Sequence, residues 1–175
     1  MKKNLILALL IIGTFLLQST LRALVPAEYT TPDLLIILTC SMGLMRGKES
    51  GMLTGFFCGL LYDMFFGTLF GFTALCYLYI GFANGHLYKV FFDEDIRVPM
   101  ATVGLSELVY CLAVYVMEAI VDTRSRFGIY VKNTIVPAVI ATVLFTIFMY
   151  TAYRLINKRL TEYEAEERES PWLRR

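Results

Sequence analysis

The sequence predicts an all-α polytopic membrane protein: six transmembrane helices in one bundle, with the N- and C-termini cytoplasmic. Three observations carry this expectation. First, the chain of 175 residues is 57% hydrophobic with a mean hydropathy of +0.61, whereas an ordinary soluble domain is nearer half apolar with about a quarter of its residues charged. Second, only 18% of this chain is charged, and much of that charge lies in residues 157–175, so the remainder is too apolar for a small water-soluble core. Third, the apolar residues fall into six runs whose flanking Lys and Arg residues segregate to one side, as the cytoplasmic loops of membrane proteins collect them.

A crossing of the hydrocarbon core takes roughly 20 apolar residues, with about 17–25 as the range. The first run is 4–24. Lys2-Lys3 followed by Leu5 to Leu17 resembles a signal peptide, but the run continues to Leu24 without a small-x-small cleavage site and reads as a retained span. The segment Val25 to Thr31, with Pro26 and Glu28, breaks it. The second run, 32–45, is short and has a helix start: Thr31 as cap, Pro32 at the first helical position, Asp33 at the positive end of the helix dipole. A polar turn, Arg46 to Ser50, leads to the third run, 51–66, which is also short. Gly67 and Gly71 bracket a tight turn before the fourth run, 69–92. The polar loop Asp93 to Arg97, ended by Pro99, precedes the fifth run, 99–121. A polar stretch, 122–133, separates it from the sixth, 134–156. The mixed-charge tail, 157–175, suits a short solvated helix continuing the sixth run until Pro171 ends it.

The basic residues test the span count. Six spans from a cytoplasmic N-terminus place Lys2, Lys3, Arg46, Lys48, Lys89 and Arg97 inside, with Arg154, Lys158, Arg159, Arg168, Arg174 and Arg175. Only Arg22, Arg124, Arg126 and Lys132 then lie outside, 12 against 4. If the second run does not cross, everything after it inverts and the ratio becomes 5 against 11. Six spans fit the rule that cytoplasmic loops are basic. The two short runs then form a hairpin shielded by its neighbours or matched by local thinning of the bilayer.

Several function classes find no support. A net charge of +1 and the lack of a basic stripe or zinc-finger spacing give nucleic acid no footprint. Cys40, Cys58, Cys76 and Cys111 each sit within an apolar run, without a CxxC pair, and read as small buried hydrophobes rather than disulfide partners or metal ligands. His86 is the only histidine and has no companions at metal-ligand spacing, so it reads as a polar residue at the inner membrane edge. No nucleophile elbow, HExxH or phosphate-binding loop occurs. The expectation is a protein without catalytic residues, metal or cofactor. The 13 Phe, 11 Tyr and 1 Trp belong mainly to core packing and interfacial belts.

The most specific pattern is a ladder. Gly47, Gly51, Gly55 and Gly59 stand four residues apart, and Asp63 takes the next step. Residues four apart share a helix face, and a face of glycines lets two backbones touch in lipid, where dispersion and weak Cα–H···O contacts attract. Gly81 and Gly85 repeat the spacing in the fourth run, so these six glycines predict a close-packed seam between the third and fourth runs. Asp63, costly within a span, has two readings: a partner for a polar group on another helix or a ligand, or a helix-end residue accepting local hydrogen bonds. Glu107 and Glu118, eleven residues apart, share one face of the fifth run. Glu107 is the deeper, and its expected partner is His86 or Lys89 on the fourth run.

The combination of Pro32-Asp33-Leu34-Leu35, Arg46-Gly47, Gly51-x-x-x-Gly55-x-x-x-Gly59-Leu60-Leu61-Tyr62-Asp63, Gly67-x-x-x-Gly71-Phe72-x-Ala74-Leu75 and Gly81-x-x-x-Gly85 resembles the rod shape-determining MreD family, most strongly over residues 32–90. The resemblance implies a multi-pass protein of the bacterial inner membrane with neither known catalytic activity nor established cofactor. It implies a scaffold in the cell-elongation complex that binds MreC. MreB and the peptidoglycan polymerase and transpeptidase are indirect partners in lateral wall synthesis. The family's inner fold is thought similar to substrate-binding subunits of vitamin uptake transporters, which is the alternative expectation. Against it, the first helix, Ala8-Leu9-Leu10-Ile11-Ile12-Gly13, lacks the AxxxA-type docking face of such subunits. An enzyme acting on lipid-linked sugars would need convergent polar residues, and Asp63, Glu107 and His86 are scattered in sequence.

Overall fold

The computed structural model describes residues 2–26, 30–67, 69–89, 97–121 and 127–169, and these are helical apart from short connections. The helices are α1 (Lys2–Leu24), α2 (Leu34–Arg46), α3 (Lys48–Phe66), α4 (Phe72–His86), α5 (Arg97–Val121), α6 (Phe127–Tyr130) and α7 (Val136–Glu169). A 3₁₀ turn, Leu87–Lys89, extends α4, and a π-helical turn, Val131–Ile135, joins α6 to α7 without a break. Residues 93–96, Asp122, Arg124, Arg126 and Pro171, for which the sequence predicts loop, topology and helix-end roles, lie outside the described residues.

The bundle is organised around α2. Its side chains are buried without interruption from Leu34 to Leu44, as expected of a helix apolar on every side. At 13 residues it is only about 20 Å long, less than the roughly 30 Å hydrocarbon thickness. Around it, α3 and α4 form the closest pair and both pack on α2, while α1, α5 and α7 cover its remaining sides. Its start differs from expectation. Asp33, not Thr31, is the N-cap: its side chain accepts from the amides of Leu35 at 3.1 Å and Ile36 at 3.2 Å, and the helix begins at Leu34. A carboxylate one residue before the first turn meets two of the orphan amides, which neither Thr31 nor Pro32 is placed to do. At the other end Gly47, with φ +86°, lets α2 reverse into α3 through a single residue.

Three helices contain segments long and apolar enough to cross a membrane: Ile6–Leu24, Arg97–Ile120 and Gly128–Arg159. The exterior carries large apolar side chains, such as Leu9 and Leu16 on α1, Phe57 on α3, Leu105 on α5 and Phe148 on α7. The interior is mainly apolar, with Leu34 to Leu38, Met42, Tyr77 and Val103 at its centre, and it also encloses polar Thr14, Gln18, Thr39, Asn84 and Thr142. Polar groups inside and hydrocarbon outside are the arrangement lipid demands. The chain is an all-helical membrane bundle.

The stretch 122–133, read as a polar connection, is helical from Phe127 onward. A π turn absorbs one extra residue in a helix, and here it carries Lys132, Asn133 and Thr134, so the polar residues interrupt the helix's regularity without ending it.

Candidate functional site

Three features gather the polar and glycine residues singled out by sequence. The first is the seam. Gly51, Gly55, Gly59, Gly81 and Gly85 are all buried where α3 and α4 meet. A Cβ placed on Gly59 would stand 2.5 Å from the Cα of Ala74, and at Gly51 and Gly81 each would drive into the other residue's backbone. Leucine-sized neighbours would hold the axes about 8–10 Å apart; here main chain lies on main chain. Gly47 serves the seam from the turn rather than from α3, and a Cβ on Gly85 would meet its carbonyl carbon at 2.9 Å. Sequence reasoning passed over Gly43 on α2, where a Cβ would lie 3.0 Å from the carbonyl oxygen of Gly81 and 3.1 Å from the amide of Gly85. The signal was present, since the four-residue ladder extends back one step from Gly47 to Gly43. The seam therefore joins three helices.

The second feature is Asp63, which is 4% exposed. The structure combines parts of its two readings: Asp63 stands at the end of α3, and its carboxylate reaches across the turn to polar groups of another helix, the amides at the start of α4. Oδ2 accepts from the amides of Gly71 at 2.9 Å and Ala74 at 3.1 Å, and Oδ1 from Thr73 at 3.3 Å. Gly71, at φ +93°, is the N-cap residue of α4 and has no side chain to offer. Asp63 acts as that cap from the preceding helix.

The third is a cavity of about 690 Å³ bounded by α1, α5, the π turn and the N-terminus of α2. Asp33 and Glu107 both line it. Asp33 is the polar hub of the bundle: its Oδ2 accepts from the hydroxyl of Tyr77 at 2.5 Å, and its amide donates to Thr142 Oγ1 at 3.1 Å. Beside it, the amide of Leu34 donates to Gln18 Oε1 at 2.7 Å. These bonds tie α2 to α1, α4 and α7. The sequence marked Asp33 only as favourable to a helix dipole; its burial follows from helices distant in the chain.

Glu107 departs from expectation. It does not meet His86. Its Oε1 accepts from Cys111 Sγ one turn along the same helix at 3.8 Å, and its Oε2 has no hydrogen-bond partner. The reason is rotational. Ser106 faces α4, where its Oγ accepts from Asn84 Nδ2 at 2.9 Å, and the next residue is turned about 100° away. Glu118 follows Glu107 along the same face to the cavity, as their spacing predicts. His86 is exposed, edge-on to Phe82 with ring centroids 5.0 Å apart. The side chain of Lys89 lies outside the described residues. Cys40, Cys58, Cys76 and Cys111 are free thiols. Among the described residues no three His, Cys, Asp or Glu side chains gather as metal ligands.

Chemically the arrangement offers recognition: backbone contact at the seam, and donors and acceptors in the cavity. A family model described as rod shape-determining protein MreD matches residues 1–158 of the chain. No curated protein matches the chain, and no solved structure does.

Proposed function

The chain belongs to the MreD family of rod shape-determining membrane proteins, and from that premise we propose that it is a non-catalytic inner-membrane scaffold of the bacterial cell-elongation complex. In this reading it binds MreC and so helps organise lateral peptidoglycan synthesis, with MreB and the wall polymerase and transpeptidase as indirect partners. It crosses the membrane six times with both termini cytoplasmic, the arrangement that puts most Lys and Arg residues inside. The family match over residues 1–158 carries the proposal. The transporter-subunit alternative draws no support from that match.

The fold suits such a task. A bundle whose central helices touch backbone to backbone has few soft modes, and its apolar exterior presents continuous surface to a partner helix. The test is affinity capture of the tagged full chain from native membranes in mild detergent. MreC is expected to co-purify, and to be lost when the seam is wedged open. Recovery of the intact, folded chain without MreC or any other wall-elongation protein would overturn the reading.

A further inference from the structure

Glu107 lines the cavity, and one of its carboxyl oxygens, sealed just behind the wall, is left unmet by the bundle. Asp33, at the cavity's inner end, has both carboxylate oxygens engaged by the amides of Leu35 and Ile36 and the hydroxyl of Tyr77. Glu107 is 3% exposed, and its Oε2 is buried without a partner. A buried carboxylate oxygen lacking a donor is costly, and ionisable groups inside a membrane bundle ordinarily mark a binding or transport path. The open space beside Glu107 is about 690 Å³, within the range of about 300–1,000 Å³ typical of small-molecule sites. Tyr62, Tyr110 and Tyr130 line it, and aromatic rings attract cations in desolvated surroundings. Arg22 is also on its wall, donating from Nη2 to the hydroxyl of Tyr62 at 2.7 Å with its guanidinium 5.0 Å from that ring's centroid. One cavity thus joins a deep unmet carboxylate, aromatic walls and a tethered guanidinium.

We propose that this cavity binds a ligand bearing a primary ammonium group, which draws the Glu107 side chain toward the cavity and donates to its carboxyl group, while an anionic group on the same ligand meets Arg22. Two sources supply that chemistry: a free zwitterionic amine, or the headgroup of an aminophospholipid, whose ammonium and phosphate are a few bonds apart. The site is independent of which protein the exterior holds.

The experiment uses the full chain in mild detergent, titrated with hexylamine and, as an uncharged match, hexanol, with the thermal unfolding midpoint and calorimetric affinity as readouts. Hexylamine is expected to bind and raise the midpoint, and hexanol is not. This contrast needs no variant, so it stands even if a variant folds poorly. Glu107→Gln, checked for an unchanged elution profile, is expected to weaken hexylamine binding by about tenfold or more, the scale of one hydrogen bond to a charged group. Native mass spectrometry of the chain in nanodiscs of phosphatidylethanolamine and phosphatidylglycerol identifies the source. Selective retention of phosphatidylethanolamine, reduced in Arg22→Gln, supports the headgroup; hexylamine binding without such retention supports a free amine. Equal binding of hexanol and hexylamine, or undiminished binding by Glu107→Gln, overturns the proposal.

Discussion

At Asp63 one carboxylate satisfies three amides at the start of a helix that has no capping side chain of its own. Losing a helix cap costs about 0.5–2 kcal/mol, and a cap of three bonds belongs at the upper end. Asp63→Ala is expected to lower the stability of the detergent-solubilised chain by about 2 kcal/mol, read as a fall in its thermal midpoint. Asp63→Asn, which keeps one acceptor oxygen, should lose less. The glycines behave differently, because the atoms opposing a new side chain are backbone and cannot rotate away. Gly59→Leu is expected to exceed the ~1–3 kcal/mol of an overpacked core and to reduce the amount of folded protein in membranes, measured by fluorescence-detected gel filtration. Normal accumulation of Gly55→Leu and Gly59→Leu together with retained partner binding would refute the seam. The seam residues were legible because glycine at four-residue spacing has a direct geometric meaning. Glu107's setting was not: depth along a helix can be read from a sequence, but its rotation against helices far along the chain cannot.

The helices show the same division between local and distant causes. The apolar runs locate α1, α3, α5 and much of α7, since hydrocarbon sets their composition. The start of α2 moved from Pro32 to Leu34 because Asp33 was the residue able to reach two amides. The π turn lay hidden in a polar stretch that composition reads as a loop. Helix α2 is held at its N-terminus by the hydroxyl of Tyr77 on α4, at a site where the Tyr77 and Tyr110 rings also meet edge-on with centroids 5.1 Å apart. Tyr77→Phe keeps the ring and removes the donor. It is expected to cost about 1–3 kcal/mol, the penalty of a buried polar group left unmet, and double-mutant analysis with Asp33→Asn should show the two effects to be non-additive.

For the molecule as a whole, the exterior is apolar like much of the core, and the buried polar groups are confined to the interior; the apolar exterior was legible from hydropathy alone. The sidedness of the chain rests on its basic residues. In a chain carrying Cys76→Ser, membrane-impermeant maleimide is expected to label Ser50→Cys from the face that bears the N-terminus and Lys132→Cys from the opposite face. Labelling of both from one face would contradict six crossings. Finally, α2 is wrapped by helices on both sides of it in the chain, including α7, whose Thr142 receives the amide of Asp33. The second helix to leave the ribosome is therefore enclosed only after the last one has been translated. Until then the nascent chain exposes the flank of α2 that α7 will cover, with the Asp33 amide lacking its Thr142 acceptor. A chain stopped after Val121 should accordingly be cleared faster than the full-length product in a pulse-chase measurement.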